Sequence, residues 1–330
     1  MNCKKMSKTR IRSFFEIYSQ NLSITRKNII GVHFEPDLDN IFLCPMCLKY
    51  FTQDDIELAK LSLEHVPPRK LGGKVRTLTC KFCNNTSGSE LESQLIKKLE
   101  FLGFWSGSSS VQSHDMTYRF NDGKPLPGTL NKLPNGNLEI IGHPHRTDPK
   151  EIEKASQAFQ QTSQHSVNLK IEFTPYKELP AFAALLRIAY LYAFSILGYS
   201  LILPHAYLRE FRRQFFHPDE KIIPQIGIFP DIHHILPDDA IGLNLIVEPQ
   251  ELQSFFVVFD LLSPKGIKAR YGVCIPGPTK PGTDIYKYME KHSGNTINQR
   301  MTHVFSDVDT YFEQYPFIAL DIWNNWRQQK

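Results

Sequence analysis

The sequence predicts an α+β protein in two parts, a small module stapled by four cysteines and a larger mixed α+β domain after it. Three observations predict this. Four of the six cysteines fall into two Cys-x-x-Cys pairs, Cys44/Cys47 and Cys80/Cys83. Helical and alternating apolar patterns are interleaved along the chain, as α+β architectures require. Composition shifts near residue 103, where a Gly/Ser stretch at 106–110 precedes turn-rich segments. At 330 residues the chain also exceeds one typical domain.

Taken in order, residues 1–40 form a basic N-terminal segment. Over residues 1–27, Lys4, Lys5, Lys8, Arg10, Arg12, Arg26 and Lys27 face a single acid, Glu16. Ile11, Phe14, Phe15 and Tyr18 recur at helical spacing, predicting a basic amphipathic helix over 9–20. Such a helix is either a solvated face or a phosphate-contacting arm. Residues 41–102 make the cysteine module. A strand-like run at 40–43 enters the first pair, and 54–58 is a short helix or turn. Segments 61–66 and 75–79 read as extended, joined through Gly72-Gly73. Leu91, Leu95, Ile96, Leu99 and Leu102 then mark a helix beginning near the second pair.

Residues 103–330 are expected to form the α+β domain, with strands at 116–120, 138–141 and 168–173 and a helix at 148–161. An apolar helix spans 181–203. Its uncharged stretch after Arg187 is shorter than the ~20 residues that cross a bilayer, so a buried core helix is expected. Further strands fall at 243–247, 255–261 and 269–275, and a closing helix at 307–330. No apolar leader follows the basic N-terminus, and a soluble, cytoplasmic protein without a membrane partner is expected.

Each Cys-x-x-Cys turn presents two thiolates on one side, and two such turns complete a tetrahedral site. The expected cofactor is therefore a structural zinc with no open coordination position. Between and after the pairs stand Leu63-Glu64-His65-Val66-Pro67-Pro68, Leu71-Gly72-Gly73, and Cys80-Lys81-Phe82-Cys83-Asn84-Asn85. This set resembles the HNH endonuclease family (ββα-metal, or His-Me finger) in its Cys-x-x-Cys-bearing branch, over about residues 41–95. The resemblance implies a zinc-stapled ββα-metal module and a metal-dependent nuclease. It implies His65 as general base, and Glu64 and Asn84 as oxygen ligands of a catalytic Mg²⁺ or Mn²⁺. Asn85 is an alternative ligand or a helix cap.

The chemistry agrees with that assignment. Phosphodiester hydrolysis needs an activated water and positive charge at the phosphate, and an imidazole accepts a proton near neutral pH. The family's middle Asn is missing, and Thr77 is the expected substitute. Arg69, Lys70, Lys74, Arg76 and Lys81 lie in an acid-free stretch, 66–83, that suits a phosphate backbone. They do not separate DNA from RNA; of the two, DNA is expected. The resemblance also suggests a restriction or anti-phage setting, with the second domain recognising a target, a protein partner or a regulator. The alternative is a non-catalytic zinc module that binds nucleic acid or protein.

His143-Pro144-His145 and His233-His234 read as surface histidines in turns. Residues 277–282 lack the frame of a phosphate loop, and no nucleophile elbow or dinucleotide fingerprint occurs.

Overall fold

A computed structural model describes residues 3–28, 39–107, 111–120, 123–160, 169–173, 176–203, 207–231, 235–277, 284–294 and 299–306. The expected helix at 307–330, the His233-His234 pair and most of the 277–282 segment lie outside the described residues. The chain forms two compact units. One holds residues 1–95, 178–263 and 268–330; the other holds 96–177 and 264–267. This replaces the linear division at 102/103, because the chain returns to the first unit after residue 177.

The first unit opens on α1 (Cys3–Asn28), longer than the expected 9–20. Phe14, Phe15, Tyr18, Leu22 and Thr25 are all buried, so the apolar stripe runs two turns further than its aromatic part. Arg26 and Lys27 in its last turn complement the helix dipole. Strands β1 (Phe42–Leu43) and β2 (Tyr50–Phe51) pair around the first cysteine turn, and α2 (Asp54–Glu57) follows. An antiparallel hairpin of β3 (Leu61–Val66) and β4 (Lys74–Cys80) comes next, close to the sequence reading. Its connection permits no side chain at Gly73, where a Cβ would stand 1.5 Å from the Pro67 carbonyl oxygen. Helix α3 (Lys81–Trp105) starts directly after β4.

The second unit receives the end of α3. It adds β5 (Ser113–Phe120), β6 (Leu126–Lys132), β7 (Leu138–Gly142), α4 (Pro149–Gln160) and β8 (Leu169–Phe173). Its antiparallel sheet has the order β7-β6-β5-β8. Phe104, Val111, Met116 and Leu130 form its core.

The first unit resumes with α5 (Glu178–Leu197), buried without interruption from Pro180 to Leu197. A helix apolar on every side has to be surrounded. Accordingly α5 packs on the β3–β4 hairpin as well as on strands of the C-terminal sheet. Among the described residues it alone is long and apolar enough to cross a membrane, and 94% of that stretch is buried inside the structure.

The expected single helix 181–203 breaks at Gly198, and α6 (Tyr199–Ile202) follows. Gly198 has φ +58°, and a Cβ there would lie 2.2 Å from Asn21 Oδ1. That oxygen accepts the Tyr199 N–H at 2.8 Å, so an α1 side chain caps the new helix start.

After α7 (Leu208–Phe216) come β9 (Ile228–Pro230), β10 (Gly242–Glu248), β11 (Ser254–Leu262), β12 (Lys268–Pro276), α8 (Ile285–Lys291) and β13 (Arg300–Ser306). They build an antiparallel sheet ordered β13-β10-β11-β12-β9.

Candidate functional site

Residues 42–51 and the β4–α3 junction bring Cys44, Cys47, Cys80 and Cys83 together. The four sulfurs lie within 4.8 Å of one another, and none is in a disulfide. The arrangement can hold a metal ion. Backbone N–H groups already point at the sulfurs, Cys80 to Cys44 Sγ and Cys83 to Cys80 Sγ, both at 3.4 Å. Such donors favour thiolate over thiol. Burial pushes the Cys44 thiol up, while hydrogen bonding from Cys44 pulls Cys47 down, so the group holds its protons jointly.

The first cysteine turn is held from α5 and α6. The Tyr190 hydroxyl donates to Pro45 O at 2.6 Å. The Tyr199 hydroxyl donates to Leu43 O at 2.7 Å and accepts the Leu43 N–H at 2.8 Å. Both tyrosines are fully buried. Sequence reasoning missed them because they stand some 150 residues from the turn.

The cysteine cluster pins one end of the hairpin, where Leu61 pairs with Cys80. His65 stands four residues further along β3, about 13 Å away at ~3.3 Å per residue. Here the register slips: Glu64 faces Thr77, His65 faces Val75, and Arg76 is the extra, bulged residue. The imidazole is half-buried. Burial is the main influence lowering its pKa; Arg69 and Arg10 add to it, and Glu64 opposes them. Arg69 belongs to the turn after β3, and Arg10 comes from α1. The Arg10 Nη2 reaches Val75 O at 3.5 Å, opposite His65.

Four of the sequence assignments are corrected here. Glu64 is 4% exposed and both its carboxylate oxygens are engaged. Oε1 accepts from Arg187 Nη2 at 2.9 Å, and Oε2 from the Thr79 hydroxyl at 3.0 Å. It therefore ties the hairpin to α5, with both carboxylate oxygens already taken by protein donors. Thr77 is also buried, opposite Glu64 and beside the Tyr18 hydroxyl, so it does not orient His65. The residue opposite His65 is Val75, which has no side-chain donor. Arg76 donates Nε to Val66 O at 3.1 Å and lays its guanidinium 4.6 Å from the Tyr192 ring centroid. It is a packing residue of the hairpin. Asn85 is no cap, since α3 begins at Lys81.

Asn84, in the first turn of α3, is half-buried. Its Nδ2 donates to Ser62 Oγ at 2.8 Å and to Leu63 O at 3.4 Å. A carbonyl can only accept, so the amide orientation is fixed and Oδ1 is the atom turned away from β3. Asn85 is exposed one position on. Of the basic residues, Arg69, Lys70 and Lys74 are exposed at the His65 end of the hairpin, whereas Lys81 is exposed at the cysteine end. Glu92, half-buried on α3 and unnoticed in the sequence, completes the surroundings of Glu64. Burial raises its pKa, Lys70 and Arg187 pull it down, and Glu64 pushes it up.

No protein-family model, curated protein or solved structure matches the chain.

Proposed function

We propose that the chain is a nuclease of the HNH type, built on a zinc-stapled ββα module formed by β3, β4 and α3. The observation that carries the reading is a half-exposed imidazole on a hairpin whose other end is pinned by four cysteines and whose helix carries Asn84. The cysteine cluster fits zinc. A Zn–S bond of about 2.3 Å in a tetrahedron sets neighbouring sulfurs about 3.8 Å apart, and Cys47 and Cys80 Sγ lie 3.9 Å apart. Four thiolates close the coordination sphere, so this ion serves structure and leaves hydrolysis to the His65 end.

His65, depressed below the ordinary imidazole value of about 6.5, is neutral at pH 7 and can accept the proton of an attacking water. For a Mg²⁺ or Mn²⁺ ion the donor set fits only in part. Asn84 Oδ1 suits a hard cation, but Glu64 is held by Arg187 and Thr79. The same engagement of Glu64 favours a second reading, a non-catalytic nucleic-acid-binding module. DNA remains the expected substrate, with the second unit left for target or partner recognition.

Cleavage of plasmid and single-stranded substrates in Mg²⁺ or Mn²⁺ is the test. His65→Ala should lower the rate by about 10²–10⁴-fold while the zinc content stays the same. A base must be neutral to act, so the rate should rise about tenfold per pH unit on the acid side. It should level off below pH 6.5, because the shift is downward. Equal cleavage by parent and variant removes His65 from the mechanism. No cleavage of any substrate by zinc-loaded parent favours the binding module.

A further inference from the structure

We propose that Arg10 of α1 and Arg69 of the turn after β3 form a two-arginine clamp that grips the phosphodiester backbone beside His65. The proposal deepens the nuclease reading and rests on it. It makes the N-terminal helix, outside the stretch that resembles HNH proteins, part of the substrate site.

The basic residues of α1 divide by direction. Lys8 and Arg12 are both ion-paired with Glu57 of α2, Lys8 Nζ at 2.9 Å. Arg10 points the other way, to the β4 carbonyl that stands opposite His65. Arg69, four residues along the chain in the turn after β3, is a second positive charge near the same imidazole. Both guanidiniums act on His65 as nearby positive charges. Both are exposed, and neither has a carboxylate within ion-pair distance among the described residues.

Two unneutralised cations beside a third titratable nitrogen repel one another, and an arriving anion relieves that repulsion. The guanidinium fork matches two phosphate oxygens, where an ammonium offers only a point charge. The clamp also supplies positive charge at a site where the expected acidic cation ligand, Glu64, is turned inward. It would hold the phosphate beside the base without reading sequence.

The experiment uses full-length protein carrying His65→Ala, so that bound oligonucleotide is not cut. Affinity for fluorescent 20-mer duplex and single-stranded probes is read by anisotropy at several salt concentrations. Arg10→Gln and Arg69→Gln should each weaken binding about tenfold and lower the log–log salt slope by about one, the signature of one lost phosphate contact. Arg10→Lys should keep the slope and lose part of the affinity. Lys8→Ala and Arg12→Ala, on the Glu57 side, should change affinity less than twofold.

Unchanged affinity and slope in Arg10→Gln, with the parent binding normally, overturns the clamp and leaves the nuclease reading standing. Equal losses from Lys8→Ala and Arg10→Gln also overturn it, since they report a diffuse basic surface. A parent that binds neither probe removes the nuclease reading and the clamp together. Because Arg10 and Arg69 are exposed, the variants should melt with the parent, and a melting curve checks that.

Discussion

Replacing Cys80 with serine is expected to remove zinc from the protein and to lower its melting temperature by roughly 8–16 °C. The magnitude follows from what the cluster holds. Structural zinc contributes about 10–16 kcal/mol of apparent binding energy in small modules at neutral pH. Here Tyr190, Tyr199 and the packing of α5 also hold the same segments, so only part of that energy should appear as lost stability. A loss of about 4 kcal/mol corresponds to roughly 8–16 °C in a unit of this size. Elemental analysis of the purified protein should find about one zinc per chain in the parent and none in Cys80→Ser.

The loss should be local before it is global. Leu61 pairs with Cys80, and α3 starts from that residue. Limited proteolysis should therefore cut first in 44–51 and 80–90. A zinc-free parent, or a Cys80→Ser variant that melts with it, would mean that the four sulfurs are only packed thiols.

The hairpin was legible because its signals are local: alternation fixes β3 and β4 to within a residue, and Gly72-Gly73 marks the connection. Helix α5 was legible as a core helix for the same reason, since sixteen uncharged residues in succession have no solvated face. What was missed depends on partners far away in sequence. The break at Gly198 is set by Asn21, 178 residues from the Tyr199 it caps. The two-unit division was misplaced because the composition shift near 103 is real, yet the chain leaves the second unit again at 177. Helix α7 carried its own signal, with Leu208, Phe211 and Phe215 on one face, and went unread.

At the site, Cys44, Cys47, Cys80 and Cys83 announced themselves by spacing alone. Glu64 did not. The family resemblance gave Glu64 a role beside His65, but neighbours on a strand point to opposite faces, and Glu64 is buried. The clue lay in Arg187, the one charge inside the apolar segment. A buried charge needs a partner, and that demand, pursued through the sequence, leads to an acid such as Glu64. Arg10 offered no such clue, since its neighbours Lys8 and Arg12 look identical to it in a one-dimensional reading.

The Glu64–Arg187 pair gives the second large effect. Both side chains are about 95% buried, at 5% and 4% exposure. Glu64→Leu alone leaves the guanidinium without its counter-ion, and Arg187→Met alone strands the carboxylate. Each single change should cost about 3–5 kcal/mol, because an uncompensated charge stays in the interior. The double variant removes both charges and fills the space with apolar groups of similar size, so it should recover most of that loss. Denaturant unfolding of the four proteins then yields a coupling energy of about 3 kcal/mol or more.

Simple addition of the two single effects would show that the pair is solvated and contributes little. The double variant also decides what Glu64 is for. A protein that regains stability and still cleaves nucleic acid assigns Glu64 to tying the hairpin to α5. One that regains stability but no longer cleaves assigns the carboxylate to chemistry, reached by release from Arg187 when substrate and cation arrive.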